Sequence, residues 1–276
     1  MDLAPATRLG RAAADVGERL VAPLGLVVDE VRLQPRALGE TAHRPWPLPT
    51  RPWLMGQTWH QLLFAHWPVE PSEIDRLLPR PLAAQRRDGA AWLGITPFVV
   101  AALRLRGTPP VPWLSWFPEL NVRTYVEVDG KPGIYFFSLD AARRAAVTAA
   151  RRSHRLPYFH ARMSVGQSGQ EVLYASERID PSGPAARFRA RYRPAGARTD
   201  DPIGRWLTER YCLYVVDDRG RVLRGEIHHS PWPLQPAQAE LGLNEMAEPL
   251  GIALDGEPLL HYSARQDTLI WALAAT

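Results

Sequence analysis

The chain of 276 residues is 46% hydrophobic and 22% charged and carries a formal charge of +4 at neutral pH. Those values exclude a disordered, collagen-like or disulfide-framed protein and fit one large domain or two small ones. The longest stretch free of charge and strong polarity, Trp92 to Leu103 with one threonine inside it, falls well short of the roughly 20 apolar residues that a membrane-spanning helix requires.

Cys212 has no second cysteine to pair with, and the N-terminus lacks the charged-then-apolar design of a secretory signal, so a cytoplasmic protein is expected. The basic residues are arginines apart from Lys131, and they are spread thinly. With no RNA-binding motif and no basic tail, a nucleic-acid partner is not expected, nor is a membrane.

Residues 1–45 read as an appended arm, helical or loosely ordered. Thr7 to Leu26 has the helical spacing Leu9, Ala13, Val16 and Leu20, and the proline-rich stretch Pro45 to Pro52 then breaks it. No later stretch has the composition of a linker, so 46–276 reads as a single domain. Strands are predicted at Ala91 to Ala102, Asn121 to Val128, Gly133 to Ser138, Ala161 to Val165, Glu171 to Ile179, Arg187 to Arg193, Arg210 to Val216, Val222 to His228 and Leu259 to Leu273. Turn sequences at Asp129 to Gly133, Gln167 to Gly169 and Asp217 to Gly220 join neighbouring runs as hairpins. The run Arg187 to Arg193 alternates strictly, giving a strand with one arginine face, read as a solvated edge, and one apolar face. Three helices are expected: Ser72 to Leu78 with Ser72 as N-cap, Asp140 to His154, and Pro236 to Met246. The result is a β-rich α+β domain, an antiparallel meander forming a curved open barrel with a few flanking helices.

The segments Trp59-His60-Gln61-Leu62-Leu63-Phe64-Ala65-His66-Trp67-Pro68-Val69, Phe117 to Val126, Phe136 to Ala141, Leu156-Pro157-Tyr158, Leu207 to Tyr214 and His228 to Leu234 stand in order along the chain. In these segments the sequence resembles the YqjF-like family of bacterial proteins over roughly Trp53 to Trp271. The resemblance implies a fold similar to acetoacetate decarboxylase, a β-rich cone with a small-molecule cavity in its mouth, and it makes a homo-oligomer an expectation. It brings no established activity. The decarboxylase forms an imine through a lysine of lowered pKa. Here Lys131 sits in a hairpin turn, and the stretch comparable to the decarboxylase's lysine strand offers Ser138, so imine chemistry is not expected.

Side chains alternate along a strand, so Glu119, Asn121, Arg123 and Tyr125 share a face opposite Val122, Thr124, Val126 and Val128. Inside a barrel mouth that polar row would present Arg123 to a carboxylate or enolate; on an outer surface it would be inert, and Glu119 would pair with Arg123. Glu209 and Tyr211 enter an apolar run, either as a proton-transfer group and an oxyanion donor or as an arginine bridge with aromatic packing. Cys212 reads as a small buried hydrophobe. His228 is a candidate acid or base, with a structural histidine as the plainer reading. A metal site from His66, Glu226 and His228 is conceivable and not favoured, because His228 and His229 point to opposite sides of a strand. Trp232 either walls a pocket or caps the core. Phosphate loops, nucleophile elbows and dinucleotide fingerprints are missing, so no cofactor is expected.

The leading expectation is a small-molecule enzyme using non-covalent acid–base chemistry (a lyase, isomerase, dehydratase or cyclase) on a keto-acid or polyketide-like substrate. Glu119, Arg123, Glu209, Tyr211 and His228 are its candidate catalytic residues; His66, Asn121, Tyr125, Ser138 and Trp232 are its candidate binding residues. The rival is a binding protein that uses the same cavity without turnover, for which proton-transfer groups need not converge on one void.

Overall fold

A computed structural model describes residues 24–111 and 114–276. Its strands are β1 (Met55–Val69), β2 (Ala91–Leu105), β3 (Phe117–Val128), β4 (Lys131–Ala141), β5 (Tyr158–Ser168), β6 (Glu171–Arg178), β7 (Arg187–Pro194), β8 (Cys212–Val216), β9 (Val222–His228), β10 (Gln235–Asn244), β11 (Leu259–Ile270) and β12 (Ala274–Ala275). The helices are α1 (Leu24–Leu33), α2 (Pro71–Asp75), α3 (Arg144–His154) and α4 (Pro202–Thr208), with 3-10 turns at Gln34–Gly39 and Glu248–Leu250.

The strands form one continuous sheet that closes on itself twice. In order it runs β12-β9-β8-β4-β3-β2-β1-β11-β10-β7-β6-β5, with extra pairings β9–β11 and β4–β5. The wall β4-β3-β2-β1-β11 is therefore shared by two rings, one completed by β10, β7, β6 and β5, the other by β9 and β8. Most pairs are antiparallel, as the meander predicts, but both closures onto β4, from β5 and from β8, are parallel. Closure satisfies the edge hydrogen bonds that an open sheet would leave exposed.

The two faces of the shared wall have different fates. One face carries Leu63, Ala65, Leu93, Ile95, Leu120, Val122 and Val126 into the larger ring, where they meet Tyr174, Phe188 and Tyr192 in a solid apolar core. The other turns Phe64, Thr96, Phe98, Glu119, Asn121 and Arg123 into the smaller ring, which encloses a cavity. Three irregularities keep this second face in phase: positive-φ residues Gln61 in β1 and Ala102 in β2, and a register shift in β4 opposite Val122 and Arg123. Each inserts one residue, so the lining skips from Trp59 to Leu62 and from Phe136 to Leu139.

The expected hairpins are present. Asp129 and Gly130, both at positive φ, form the two-residue turn between Val128 and Lys131. The arginine face of β7 is largely exposed while Phe188, Ala190 and Tyr192 are buried.

Three sequence expectations need correction. The helix expected over Pro236 to Met246 is strand β10: Ala237, Ala239 and Leu241 pack on the core while Gln238 and Glu240 face outward opposite Arg193 and Arg191. Good helix formers yield here because the alternate pattern matches a strand with one buried face. Helix α3 begins at Arg144 instead of Asp140, which remains in β4 and pairs with Arg178 at 2.8 Å. In α2 the N-cap is Glu70 and Pro71 opens the helix, so Ser72 is already inside. Strand β1 and helix α4 were not among the elements expected from the sequence. Most of the helix expected at Thr7 to Leu26 lies outside the described residues.

Residues 30–46 pack on the rings. Gln34 is buried and bonds to Thr58 and the Ala102 carbonyl, Glu30 meets His60 at 2.7 Å, and Arg44 reaches Glu226 at 3.1 Å. Among the described residues no helix is long and apolar enough to cross a membrane.

Candidate functional site

The smaller ring holds a cavity of about 470 Å³. Its register orders the lining in layers, because Arg123 lies beside Gly94, Asn121 beside Thr96, Glu119 beside Phe98 and Phe117 beside Val100. The Arg123 end is deep, closed by the buried Tyr125 and by α4, whose Leu207 is fully buried and whose Thr208 reaches the lining. At the other end Leu54, Leu105 and the alanines of α3 line the mouth, and Leu105 is 54% exposed.

Two arginines meet at the deep end. Arg123, 6% exposed, lies 5.3 Å over Phe64, and Arg210, 3% exposed, lies 4.8 Å over the ring of Tyr125. Neither takes part in any ion pair found among the described residues, and Nε and Nη2 of both find no protein acceptor. Nε and Nη2 form the edge with which a guanidinium grips a carboxylate through two parallel hydrogen bonds. Nη1 of Arg210 is held by Gln85 at 2.6 Å, and Gln85 in turn donates to Glu127 at 2.8 Å. Burial, offset in part by Tyr125 and reinforced by repulsion from Arg123, pushes Arg210 down to about 10, which leaves it cationic at neutral pH.

Tyr125 supports both arginines without lining the cavity. Its hydroxyl meets His66 Nε2 at 2.6 Å. Burial first, then the charges of Arg123, His261 and Arg210, hold His66 well below its ordinary range, so the imidazole is neutral. Gly94 is required at this point, since a Cβ there would lie 2.9 Å from His66 and 3.3 Å from Cγ of Arg123.

Glu119 lines the cavity farther out. It does not pair with Arg123; it accepts a hydrogen bond from Tyr158 at 3.1 Å. Burial raises its pKa to about 8, against the opposing effect of the Tyr158 bond and helped by the negative charge of Asp140. A carboxyl group of that kind exists in both protonation states near neutrality and is suited to proton transfer. Asn121 Oδ1 and Trp232 Nε1 are buried without partners, and Trp232 packs against Trp59 and Phe64.

The remaining candidates lie elsewhere. Glu209 accepts from the Trp232 backbone at 2.8 Å and from the Tyr211 hydroxyl, and Arg44 lies 4.8 Å over the Tyr211 ring. His228 bonds through Nε2 to the Ala37 carbonyl at 2.7 Å. Tyr211 and His228 belong to the contact between residues 37–46 and the barrel, Glu209 is joined to it through Tyr211, and none of the three lines the cavity. Ser138 is turned to the other face by the extra residue in β4. Glu226 is engaged by Arg44, Trp46 and Arg224, so it does not join His66 and His228, and no metal-binding cluster occurs among the described residues. Lys131 occupies the β3–β4 turn, with its Nζ 5.8 Å from the Trp46 ring.

Sequence reasoning missed Arg210, Tyr158 and His229 as lining residues. Alternation put Arg210 on the face opposite Leu213, yet both line the cavity because β8 starts only at Cys212 and the chain leaves α4 through an irregular turn. An arginine entering an otherwise apolar run was the available signal. His229 is held to about 4 by burial, against its hydrogen bonds to Ser230 and Arg210 carbonyls, and is neutral.

The doubly closed, β-rich shell is the acetoacetate decarboxylase-like fold. The acetoacetate decarboxylase of Legionella pneumophila matches at a TM-score of 0.59 and 10% identity, covering 85% of this chain and 93% of that one. The enduracididine biosynthesis enzyme MppR complexed with pyruvate matches at 0.56 and 14% identity, covering 86% and 94%. Within that fold the chain belongs to the DUF2071 family, described as an uncharacterized conserved protein, whose pattern spans residues 56–267. It is also 46% identical over 225 residues to the uncharacterized protein YqjF of Bacillus subtilis, covering 80% of this chain and 92% of that one.

Proposed function

We propose that the protein is a small-molecule enzyme that binds a keto-acid carboxylate on Arg123 and Arg210 and moves a proton through Glu119, without a covalent intermediate. The observation that carries this reading is the pair of buried, carboxylate-free guanidiniums lining one cavity with buried Glu119, which lies four residues along β3 from Arg123 and has a raised pKa. An anion would offset the two positive charges, and an enolate forming beside them would be held more tightly than the neutral ketone. Glu119 would take or return the proton, with Tyr158 orienting its carboxyl group. Imine formation plays no part because Lys131, the sole lysine, sits beside the β3–β4 turn and does not line the cavity. The likeness in fold to MppR complexed with pyruvate, a 2-oxo acid, supports a ligand of this class.

The test is deuterium exchange at the carbon beside the ketone, followed by NMR for a panel of 2- and 3-oxo acids in heavy water. Exchange is expected with the wild type and should fall by roughly 10²–10⁴ in Glu119→Gln while binding persists. Binding without exchange in the wild type favours the carrier reading, which has one observation behind it: of Glu119, Glu209 and His228, only Glu119 reaches the cavity.

A further inference from the structure

The polarity of the cavity is graded along its length. Going outward along β2 and β3, the layers read Arg123 with Gly94, Asn121 with Thr96, Glu119 with Phe98, and Phe117 with Val100. Beyond them stand Leu103, Leu105, Leu54 and the alanine face of α3. Both arginines and the Asn121 amide thus occupy the deep half, and the outer half is carbon apart from the Gln57 amide, which is held by its neighbours Trp59 and Met55. Four strand positions separate Arg123 from Glu119, about 13 Å between Cα atoms at the usual rise per residue. A carboxylate resting on the guanidiniums must therefore extend several bonds outward to reach Glu119, and beyond that point the lining is apolar apart from Gln57, whose amide is engaged by Trp59 Nε1 at 2.6 Å and by the sulfur of Met55.

Size points the same way. At about 30 Å³ for each small non-hydrogen group, the cavity of about 470 Å³ accommodates on the order of 15 such atoms. A short keto acid fills less than half of it and leaves Phe98, Phe117 and the leucines facing a void. The exposed Leu54 and Leu105 at the mouth extend the apolar path to the surface.

Building on the anion site proposed above, we infer that the ligand is an amphipathic carboxylate that enters head first, with its acid group between Arg123 and Arg210 and an apolar tail of roughly six to ten carbons along Phe98, Phe117 and Leu103 to the mouth. The carboxylate replaces the missing counter-charge, and the tail fills the outer half and covers the rim. Glu119 then lies alongside the first few carbons beyond the acid group.

The experiment is calorimetric titration of the full chain at neutral pH with butanoate, hexanoate, octanoate and decanoate, and with 1-decanol. Each added pair of methylenes should tighten binding on the order of tenfold until the cavity is full. Decanoate should bind far more tightly than decanol, and Arg123→Ala should remove that preference. Ala150→Trp, which narrows the mouth, should weaken decanoate at least about tenfold and butanoate by less than about twofold. Affinities that stay within about threefold across the acid series, or equal weakening of both acids by Ala150→Trp, overturn the tail and leave the anion site standing. Decanol binding as tightly as decanoate overturns the anion site itself, and with it the function proposed above.

Discussion

An arginine buried without a carboxylate beside it is destabilising by several kcal/mol, and two facing one cavity are worse. Gln85, the rings of Phe64, Tyr125 and Trp206, and the neutral His66 offset part of that cost. Gly94 makes the arrangement possible sterically. Gly94→Ala should displace Arg123 or His66, cost about 1–3 kcal/mol in urea unfolding, and weaken carboxylate binding at least about tenfold. Unchanged affinity would remove Arg123 from the ligand site. The pH dependence belongs to this scale too. The Glu119 carboxyl is raised from 4.5 to about 8 in the fold, so the native state holds a proton that the unfolded chain releases. The stability due to the neutral form is complete below pH 4.5 and is lost as the pH rises toward 8, by at most about 1.4 kcal/mol per unit. Glu119→Gln should therefore gain stability relative to the wild type between pH 5 and 8. A difference that does not change with pH would mean that the carboxylate is ionised in the fold.

Among the elements, α4 closes the deep end and is set by its N-cap. Asp201 accepts from the backbone of Ile203 and Gly204 and also meets His261 at 3.2 Å. Asp201→Ala should cost about 1 kcal/mol and lower the thermal midpoint by about 2 °C, measured calorimetrically. A larger loss in ligand affinity than in stability would show that the plug holds Thr208 and Arg210 in register for binding. The strands of the wall illustrate how alternation succeeds and then slips. From Glu119 to Tyr125 period two holds without interruption, so the polar row inferred from sequence is the row that faces the smaller ring. In β4 one inserted residue reverses the phase, and Ser138 points the other way. A bulge has no composition of its own, which is why the sequence does not announce it.

At the scale of the whole molecule, the segment before β1 is tied to the rings through buried charge. Glu226 receives Arg44, Trp46 and Arg224, while Arg44 also donates to the Ile227 carbonyl at 2.7 Å. Arg44→Ala leaves Glu226 with Arg224 and Trp46 but removes a charged hydrogen bond to it and the bond to the Ile227 carbonyl, so it should cost about 1.5–3 kcal/mol. Limited proteolysis should then cut near residues 40–45 before the barrel unfolds. Resistance equal to that of the wild type would assign the docking to Gln34 and the Glu30–His60 pair instead. This contact accounts for Glu209, Tyr211 and His228. Each has the chemistry of an active site, yet their partners are Trp232, Arg44 and Ala37.

Period-two patterning, turn chemistry and the order of the family's segments were enough to give the β-rich class, most strands, their hairpins and the polar face bearing Glu119, Asn121 and Arg123, because each depends on neighbours close in the chain. Which void that face lines, that Arg210 joins Arg123 there, and that β10 is a strand were decided by ring closure and by contacts between residues tens of positions apart. Helix propensity and local alternation carry no record of such contacts, so burial on the finished barrel, and not the local sequence, determined where those side chains came to rest.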